Sequence, residues 1–284
     1  MPLRTKPNDP KKTGAVPCRL RMTIAIAARC QSGVLLYADK KIVASDGATT
    51  EGCKIYKTSL TDDGFLALAS ATADAIAAEA LARRILDDAK MITTPIALEA
   101  MMRQVEQSLT EWCQPYAANE LPSIQFLMAI RVTGQAALFL IEPRNKIIPI
   151  PLKRSIGAGG RIVDAMIDAV FPDDLIFVPK VALLNMAYLA RRAKDEELNV
   201  GGGSKSNAIY VPDYPGKVKW IDEAELWTAE ELASTVDGEL SNIRRFMMGL
   251  GTIGPNSLAA RYGKLILVMA KSLQKRVTFE SLDE

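Results

Sequence analysis

The stretch from Met22 to Tyr56 constrains the fold more than any other part of this 284-residue chain. Two short apolar runs, at 22–28 and 33–38, meet at a turn at 31–33, and a third apolar run begins after a polar loop. Runs of this length separated by turn residues predict a β-hairpin followed by a further strand. Since antiparallel pairing brings the start of one strand beside the end of the other, we expect both ends at one edge of a sheet.

Three polar side chains lie at the ends of these predicted strands. Thr23 begins the first strand, Asp39 ends the second, and Lys54 comes just before the third. The pattern therefore predicts that a hydroxyl, a carboxylate and an amine share one end of a sheet. Each residue alone is equally typical of a strand end, a turn or a solvated surface, so the hypothesis depends on their joint spacing.

The absence of histidine narrows the chemistry that this chain can perform. It excludes a Ser-His-Asp triad, a Cys-His dyad and any metal site with histidine ligands. A free N-terminal amine can replace histidine as the general base, because its unperturbed pKa is only about 8. We predict no metal and no cofactor. The four cysteines have no CxxC spacing, as is typical of reduced thiols in a cytoplasmic protein: Cys18, Cys30, Cys53 and Cys113.

Charge is distributed unevenly along the chain. Residues 1–21 contain six Lys or Arg and one acid, a balance of +5, which leaves −3 for the remainder of a chain with net charge +2. A mildly acidic body argues against nucleic acid as a partner. Apolar runs are all shorter than the roughly 20 residues that a membrane helix needs, which predicts no membrane partner.

The first 22 residues are basic and rich in proline, without apolar periodicity. We expect them to be a disordered tail, a propeptide or a mis-assigned start. If translation begins at Met22, removal of that methionine leaves Thr23 as the first residue. Residues 23–284 are then predicted to form a single domain with a helical extension from about residue 223.

Beyond the opening stretch, predicted strands and helices occur in groups. This order favours two stacked antiparallel sheets with helices outside both, a four-layer αββα sandwich of the α+β class. The predicted elements are a strand at 65–69, helices at 72–90 and from 94, a strand meander over 124–152, a helix that follows 157–160 and has its apolar face within 163–170, a helix at about 180–198, strands at 208–211 and 217–221, and a helix opened by the capping box 228–231.

The opening stretch resembles the proteasome β-type family of N-terminal-nucleophile hydrolases, which includes proteasome-like bacterial peptidases. The residues that carry the resemblance are Thr23, Gly33, Asp39, Lys54-Ile55 and the segment Thr72–Ala75. The resemblance is close from about 23 to 90 and fragmentary beyond. It implies the αββα fold and a threonine peptidase in which the free amine of Thr23 activates its own hydroxyl.

The resemblance also assigns roles to other residues. Lys54 would place positive charge beside Thr23, and Asp39 would orient Lys54. Backbone near Ser70 would supply the oxyanion hole, and Lys41 is either a second cation of the site or a surface charge. Two positions depart from the family pattern. Ala158 stands where the family has a serine hydroxyl, and Asn199 lies near the position of a supporting family aspartate.

Three functions compete at this stage. The first is a threonine peptidase for peptides or unfolded proteins, enclosed in a ring-shaped or helical homo-oligomer with an ATPase as a possible partner. The second is a proteasome-like assembly subunit without catalysis, in which Thr23 never becomes the terminus. The third is an N-terminal-nucleophile amidase for small substrates.

Overall fold

The computed structural model describes residues 24–43, 49–72, 74–92, 97–117, 120–143, 146–196, 205–214 and 216–249. This part of the chain is mixed α and β, and every pairing between its strands is antiparallel. Its strands are β1 (Ala25–Cys30), β2 (Gly33–Asp39), β3 (Lys41–Val43), β4 (Thr49–Glu51), β5 (Ile55–Ser59), β6 (Phe65–Thr72), β7 (Ile124–Val132), β8 (Gln135–Glu142), β9 (Lys146–Pro149), β10 (Lys153–Ile156), β11 (Ser206–Pro212) and β12 (Lys219–Ile221). Its helices are α1 (Ala75–Lys90), α2 (Leu98–Cys113), α3 (Gly160–Val170), α4 (Pro179–Glu196) and α5 (Glu223–Gly249).

Two five-stranded sheets contain most of the strands. The first sheet has the order β10-β1-β2-β11-β12, and the second runs β5-β6-β7-β8-β9. Strands β3 and β4 form a separate hairpin. The second sheet is a meander of neighbours in sequence, whereas the first brings together the two ends of the described chain.

Side chains alternate between the two faces of each sheet, and this alternation produces three apolar clusters. One cluster joins inner-face residues of both sheets, among them Ala25, Leu36, Ala67 and Leu138. The opposite face of the first sheet packs on α3, α4 and α5, and that of the second sheet packs on α1 and α2. Each five-stranded sheet is therefore covered on both faces, which fixes its strand register.

Several predicted elements are confirmed and others are wrong. The opening hairpin, the meander and the helices that start near 160 and 180 are present. The first helix begins at Ala75 rather than Thr72, because strand β6 continues through Thr72 and Asp74 caps the helix by accepting a hydrogen bond from the Ala77 amide. The predicted start of the second helix, at 94, lies outside the described residues.

The capping box predicted at 228–231 is wrong. Helix α5 already begins at Glu223, and the Asp222 carboxylate accepts a hydrogen bond from the Ala224 amide. The Thr228 hydroxyl donates to the Ala224 carbonyl at 2.8 Å, a bond within the helix. A threonine with a glutamate three residues later has the same spacing inside a helix as at its start, and the sequence pattern does not separate the two cases.

Strand β10 was not predicted. The sequence predicts that the meander ends in one strand over 146–152, but strand β9 ends at Pro149. The following segment crosses to the first sheet, where it pairs with β1. Strand β10 has the sequence Lys-Arg-Ser-Ile, in which polar residues conceal the alternation. This crossover matters for the site, since Ile156 lies opposite Ala25 in the register.

Candidate active site

The start of β1 and the end of β2 meet as the sequence predicts. The Asp39 amide donates to the Ile24 carbonyl at 3.2 Å, and the Ile24 amide donates to the Asp39 carboxylate at 3.1 Å. Thr23 lies outside the described residues. Ile24 is the residue that follows Thr23 in the sequence.

A buried ion pair lies at this sheet end. The Lys54 Nζ is 2.8 Å from Asp39 Oδ1, and the two side chains are 5% and 0% exposed. Lys54 directly precedes β5 of the second sheet, whereas Asp39 ends β2 of the first. The pair therefore connects the two sheets beside the first residue of β1, bringing together two of the three residues that the sequence singles out.

Burial and pairing act in opposite directions on these two groups. Loss of solvent raises the pKa of the Asp39 carboxyl, although Lys54 and the Ile24 amide oppose the rise. Loss of solvent lowers the pKa of the Lys54 amine, although Asp39 opposes the fall. Each group thus depends on the other to remain charged, and a change in either alters the charge state of both.

Lys41 and Ser70 occupy different positions around Lys54. Lys41 is half-buried on β3, and its positive charge contributes to lowering the pKa of Lys54. Ser70 lies within β6, where it pairs with Phe126, rather than between the strand predicted at 65–69 and the helix predicted at 72–90. Its backbone N–H donates to the Lys54 carbonyl at 2.9 Å, which fixes the backbone that carries the amine. Because this N–H already has an acceptor, it does not supply the oxyanion hole expected near Ser70.

Ala158 lies in the short loop between β10 and α3. The preceding residue, Gly157, has a φ of 92°, a left-handed conformation that glycine adopts without strain. Since Ile156 pairs with Ala25, this loop lies beside the start of β1. Asn199 lies outside the described residues.

Sequence reasoning missed a second polar cluster beside the pair. Tyr37, Lys194, Ser206 and Glu230 come from β2, α4, β11 and α5, and all are buried. The Lys194 Nζ is 2.7 Å from Glu230 Oε2, the Ser206 hydroxyl donates to Glu230 Oε1 at 2.6 Å, and the Tyr37 hydroxyl also donates to Glu230. Tyr37 is two residues from Asp39 on one strand, a spacing that places both on one face.

The described residues contain no group of three His, Cys, Asp or Glu side chains arranged to hold a metal ion. None of their helices combines the length and apolar character that crossing a bilayer requires.

Comparison with known proteins identifies the fold. No protein-family model matches the chain, and no curated protein matches it in sequence. Among solved structures, Anbu from Hyphomicrobium sp. strain MC1 superposes with a TM-score of 0.61 at 18% identity, covering 78% of this chain and 97% of that one. The chain shares the fold of Anbu.

Two further Anbu structures agree. Anbu from Yersinia bercovieri, described as an ancestral beta-subunit, gives a TM-score of 0.61 at 16% identity over 82% of this chain and 100% of that one. The Anbu complex from Pseudomonas aeruginosa, described as a helical assembly, gives 0.60 at 14% identity over 82% and 99%. At these identities the likeness establishes the fold alone.

Proposed function

We propose that this protein is a threonine-type peptidase whose nucleophile is the hydroxyl of Thr23. The observation that carries the proposal is the buried 2.8 Å contact between Lys54 and Asp39 beside Ile24, the residue that follows Thr23. A buried ion pair costs several kcal/mol of desolvation per ion, and apolar residues of similar size commonly stabilise a core at least as well. A pair retained at this position is better explained by a task in catalysis.

The proposed reaction uses the terminal amine as its general base. The amine of Thr23 takes the proton of the Thr23 hydroxyl, and the oxygen attacks the carbonyl carbon of a peptide bond. The ammonium of Lys54 favours the deprotonated hydroxyl by its charge, while Asp39 holds that ammonium in place. The leaving amine takes the proton from the terminal amine, and water then hydrolyses the ester that joins the peptide to Thr23.

The remaining site residues have supporting roles in this proposal. Ser70 holds the backbone of Lys54 through its amide, and Lys41 adds a second positive charge near Lys54. Ala158 borders the start of β1 from the loop after β10. Asn199 stays a sequence prediction for the same site.

We further propose that the two sheets and their helices form the four-layer αββα sandwich and that copies of the chain assemble into a helical or ring-shaped homo-oligomer. The three apolar clusters support the layering. The helical assembly described for Pseudomonas aeruginosa Anbu supports the assembly. An ATPase partner stays a prediction from the resemblance, and a cytoplasmic location stays a prediction from the scattered cysteines.

The direct test is substitution of the nucleophile. Thr23→Ala is expected to lower hydrolysis of fluorogenic peptides by at least about 10³-fold, because the attacking oxygen is gone, while the oligomer seen by light scattering is unchanged. Thr50→Ala is the matched control, since Thr50 lies on β4 with an exposed side chain and should retain full activity.

The same assay separates the competing functions. Equal turnover by the wild type and Thr23→Ala would refute the role of Thr23. An assembled wild type that hydrolyses neither peptides nor small amides would support the assembly subunit without catalysis. Turnover of small amides alone by a monomer would support the amidase.

A further inference from the structure

The buried cluster of Tyr37, Lys194, Ser206 and Glu230 lies against the proposed catalytic pair. Ser206 is the register partner of Asp39 in the β2–β11 pairing, so the two residues lie side by side on adjacent strands. The Lys194 Nζ donates to the Ser206 hydroxyl at 3.0 Å and to both carboxylate oxygens of Glu230 at 2.7 and 2.8 Å. A second buried cation is therefore held one strand away from the first ion pair.

Helix α5 supplies the anion that holds this cation. Glu230 lies on the buried face of α5, among Leu226, Ala229 and Ala233. The first turn of the same helix is fixed at the same sheet end, because Glu223 is 2.5 Å from Lys40 and 2.5 Å from Lys205.

These ties fix α5 at two levels beside the strand ends. The two lysines flank the register pair, since Lys40 follows Asp39 and Lys205 precedes Ser206. Glu223 binds them at the surface, and Glu230 binds Lys194 in the interior.

We propose that Lys194, held by Glu230 of α5, is a positioning residue for the Asp39–Lys54 pair, which makes α5 part of the support of the site. The catalytic use of the Asp39–Lys54 pair rests on the proposed function. The packing of the two clusters against each other does not depend on that function. The charge of Lys194 favours an ionised Asp39 and disfavours a protonated Lys54. Asp39 in turn holds the ammonium of Lys54 beside Ile24, the residue that follows Thr23 in the sequence.

A purely structural role would need only a satisfied ion pair between α4 and α5. A pair with only that role could lie at any distance from Asp39. Other contacts at the helix surface already join the two helices. Arg192 Nη1 is 2.7 Å from Asp237 Oδ2, and the Tyr188 hydroxyl donates to the other oxygen of Asp237 at 3.4 Å. The position of Lys194 next to the register partner of Asp39 is the feature that a structural role leaves unexplained.

The test measures the titration of Asp39 without any substrate. The groups that surround Asp39 and its neighbours and that can titrate or carry charge are Tyr37, Lys40, Lys41, Lys54, Lys194, Lys205, Glu223 and Glu230. Solid-state NMR of sedimented protein with labelled aspartate carboxyl carbons serves for a monomer or a large assembly, and Asp39→Asn assigns the signal.

The key variant is Lys194→Met/Glu230→Gln, which removes both charges and keeps the side-chain volumes similar. Loss of the Lys194 cation disfavours the Asp39 carboxylate and loss of the Glu230 carboxylate favours it, but Lys194 acts on Asp39 more strongly than Glu230 does. The Asp39 titration should therefore move to higher pH. Lys205→Met is the matched control. It removes a cation that is adjacent in sequence to Ser206 but half exposed, so it should leave the Asp39 titration unchanged.

Every outcome decides the proposal. An Asp39 titration at the wild-type pH in the double variant overturns it, as does an equal shift in Lys205→Met. Should the double variant not fold, Lys194→Gln, which retains a donor to Glu230, must show the upward shift. Loss of the folded state in both would assign Lys194 to folding alone and overturn the proposal. A chain that hydrolyses no peptide can still show the shift, so failure of the proposed function is read separately.

Discussion

At the scale of single residues, Lys54 has an environment that an ordinary lysine avoids. Its ammonium is removed from water and compensated by one carboxylate, whose own second oxygen is buried without a partner among the described residues. The energy of this arrangement depends on both partners being present, because an unpaired buried charge costs far more than a satisfied pair. Substitution of Lys54 should therefore lower the free energy of unfolding more than substitution of neighbouring exposed lysines does.

Replacing the cation tests this expectation. Lys54→Met should lower the free energy of unfolding by about 3 kcal/mol at pH 7.5, because Asp39 is left buried and unpaired. Without Lys54 the pKa of Asp39 rises further, so protonation relieves the deficit and the difference from the wild type should shrink as pH falls. Urea denaturation at pH 7.5 and pH 5 measures both effects.

Lys57→Met is the control for that experiment. Lys57 is exposed on β5, three residues after Lys54, and its Nζ lies 4.6 Å from the centre of the Trp220 ring. A surface contact of this kind contributes about 1 kcal/mol or less. A loss of stability in Lys57→Met as large as in Lys54→Met would contradict the special role of the buried pair.

Burial also predicts which cysteines react. Desolvation raises the pKa of Cys30 to about 12, against which the positive charge of Arg29 acts. At pH 8 only about one Cys30 thiol in ten thousand is then ionised, and the thiolate is the reactive form. Cys53 is exposed. Peptide mapping after iodoacetamide treatment should show Cys53 alkylated and Cys30 unmodified in the folded protein, and alkylation of both at equal rates would contradict the described burial.

At the scale of elements, the sheets depend on close backbone approaches that a side chain would prevent. A Cβ added at Gly33 would lie 2.4 Å from the Val211 carbonyl oxygen and 2.6 Å from the Pro212 Cα, both rigid parts of β11. This glycine begins β2, the strand that carries Asp39. Helix α5 offers the opposite case at Gly238, where an added Cβ has no atom of another part of the described chain within 4 Å.

The two glycines form a matched pair for alanine substitution. Gly33→Ala should destabilise the fold by about 2 kcal/mol or more, since β2 and β11 must separate. Gly238→Ala should stabilise it by about 0.5 to 1 kcal/mol through helix propensity. Thermal unfolding followed by circular dichroism gives both signs, and a stabilising Gly33→Ala would contradict the register between β2 and β11.

The elements that the sequence predicts well are those in which one local signal dominates. The hairpin of β1 and β2 follows from its apolar runs and turn, and its geometry brings Asp39 to Ile24 with no further information. Strand β10 and the burial of Glu230 on α5 were missed, because each is decided by distant partners. Lys-Arg-Ser-Ile has no apolar pattern, and Glu230 is buried only because Tyr37, Lys194 and Ser206 meet it there.

At the scale of the whole molecule, the fold explains how separate segments build one site. Three segments meet at the start of β1: Asp39 at the end of β2, Lys54 just before the second sheet, and the loop after β10. The proposed site therefore forms only when both sheets are in place. The likeness to Anbu covers about four fifths of the chain.

Assembly can be measured independently of catalysis. Light scattering of the purified protein should give a mass several-fold greater than that of one chain, and negative-stain electron microscopy should show rings or short helices. Thr23→Ala is expected to form the same particles, because the role proposed for Thr23 is in the reaction. A monodisperse monomer at micromolar concentration would contradict the proposed oligomer.

The most direct test of the proposed chemistry is the intact mass of the protein in its hydrolysing form. The account predicts that peptide-hydrolysing particles contain chains whose first residue is Thr23, so that the free amine and the hydroxyl belong to one residue. Particles that hydrolyse peptides at full rate with residues 1–22 still attached would contradict it.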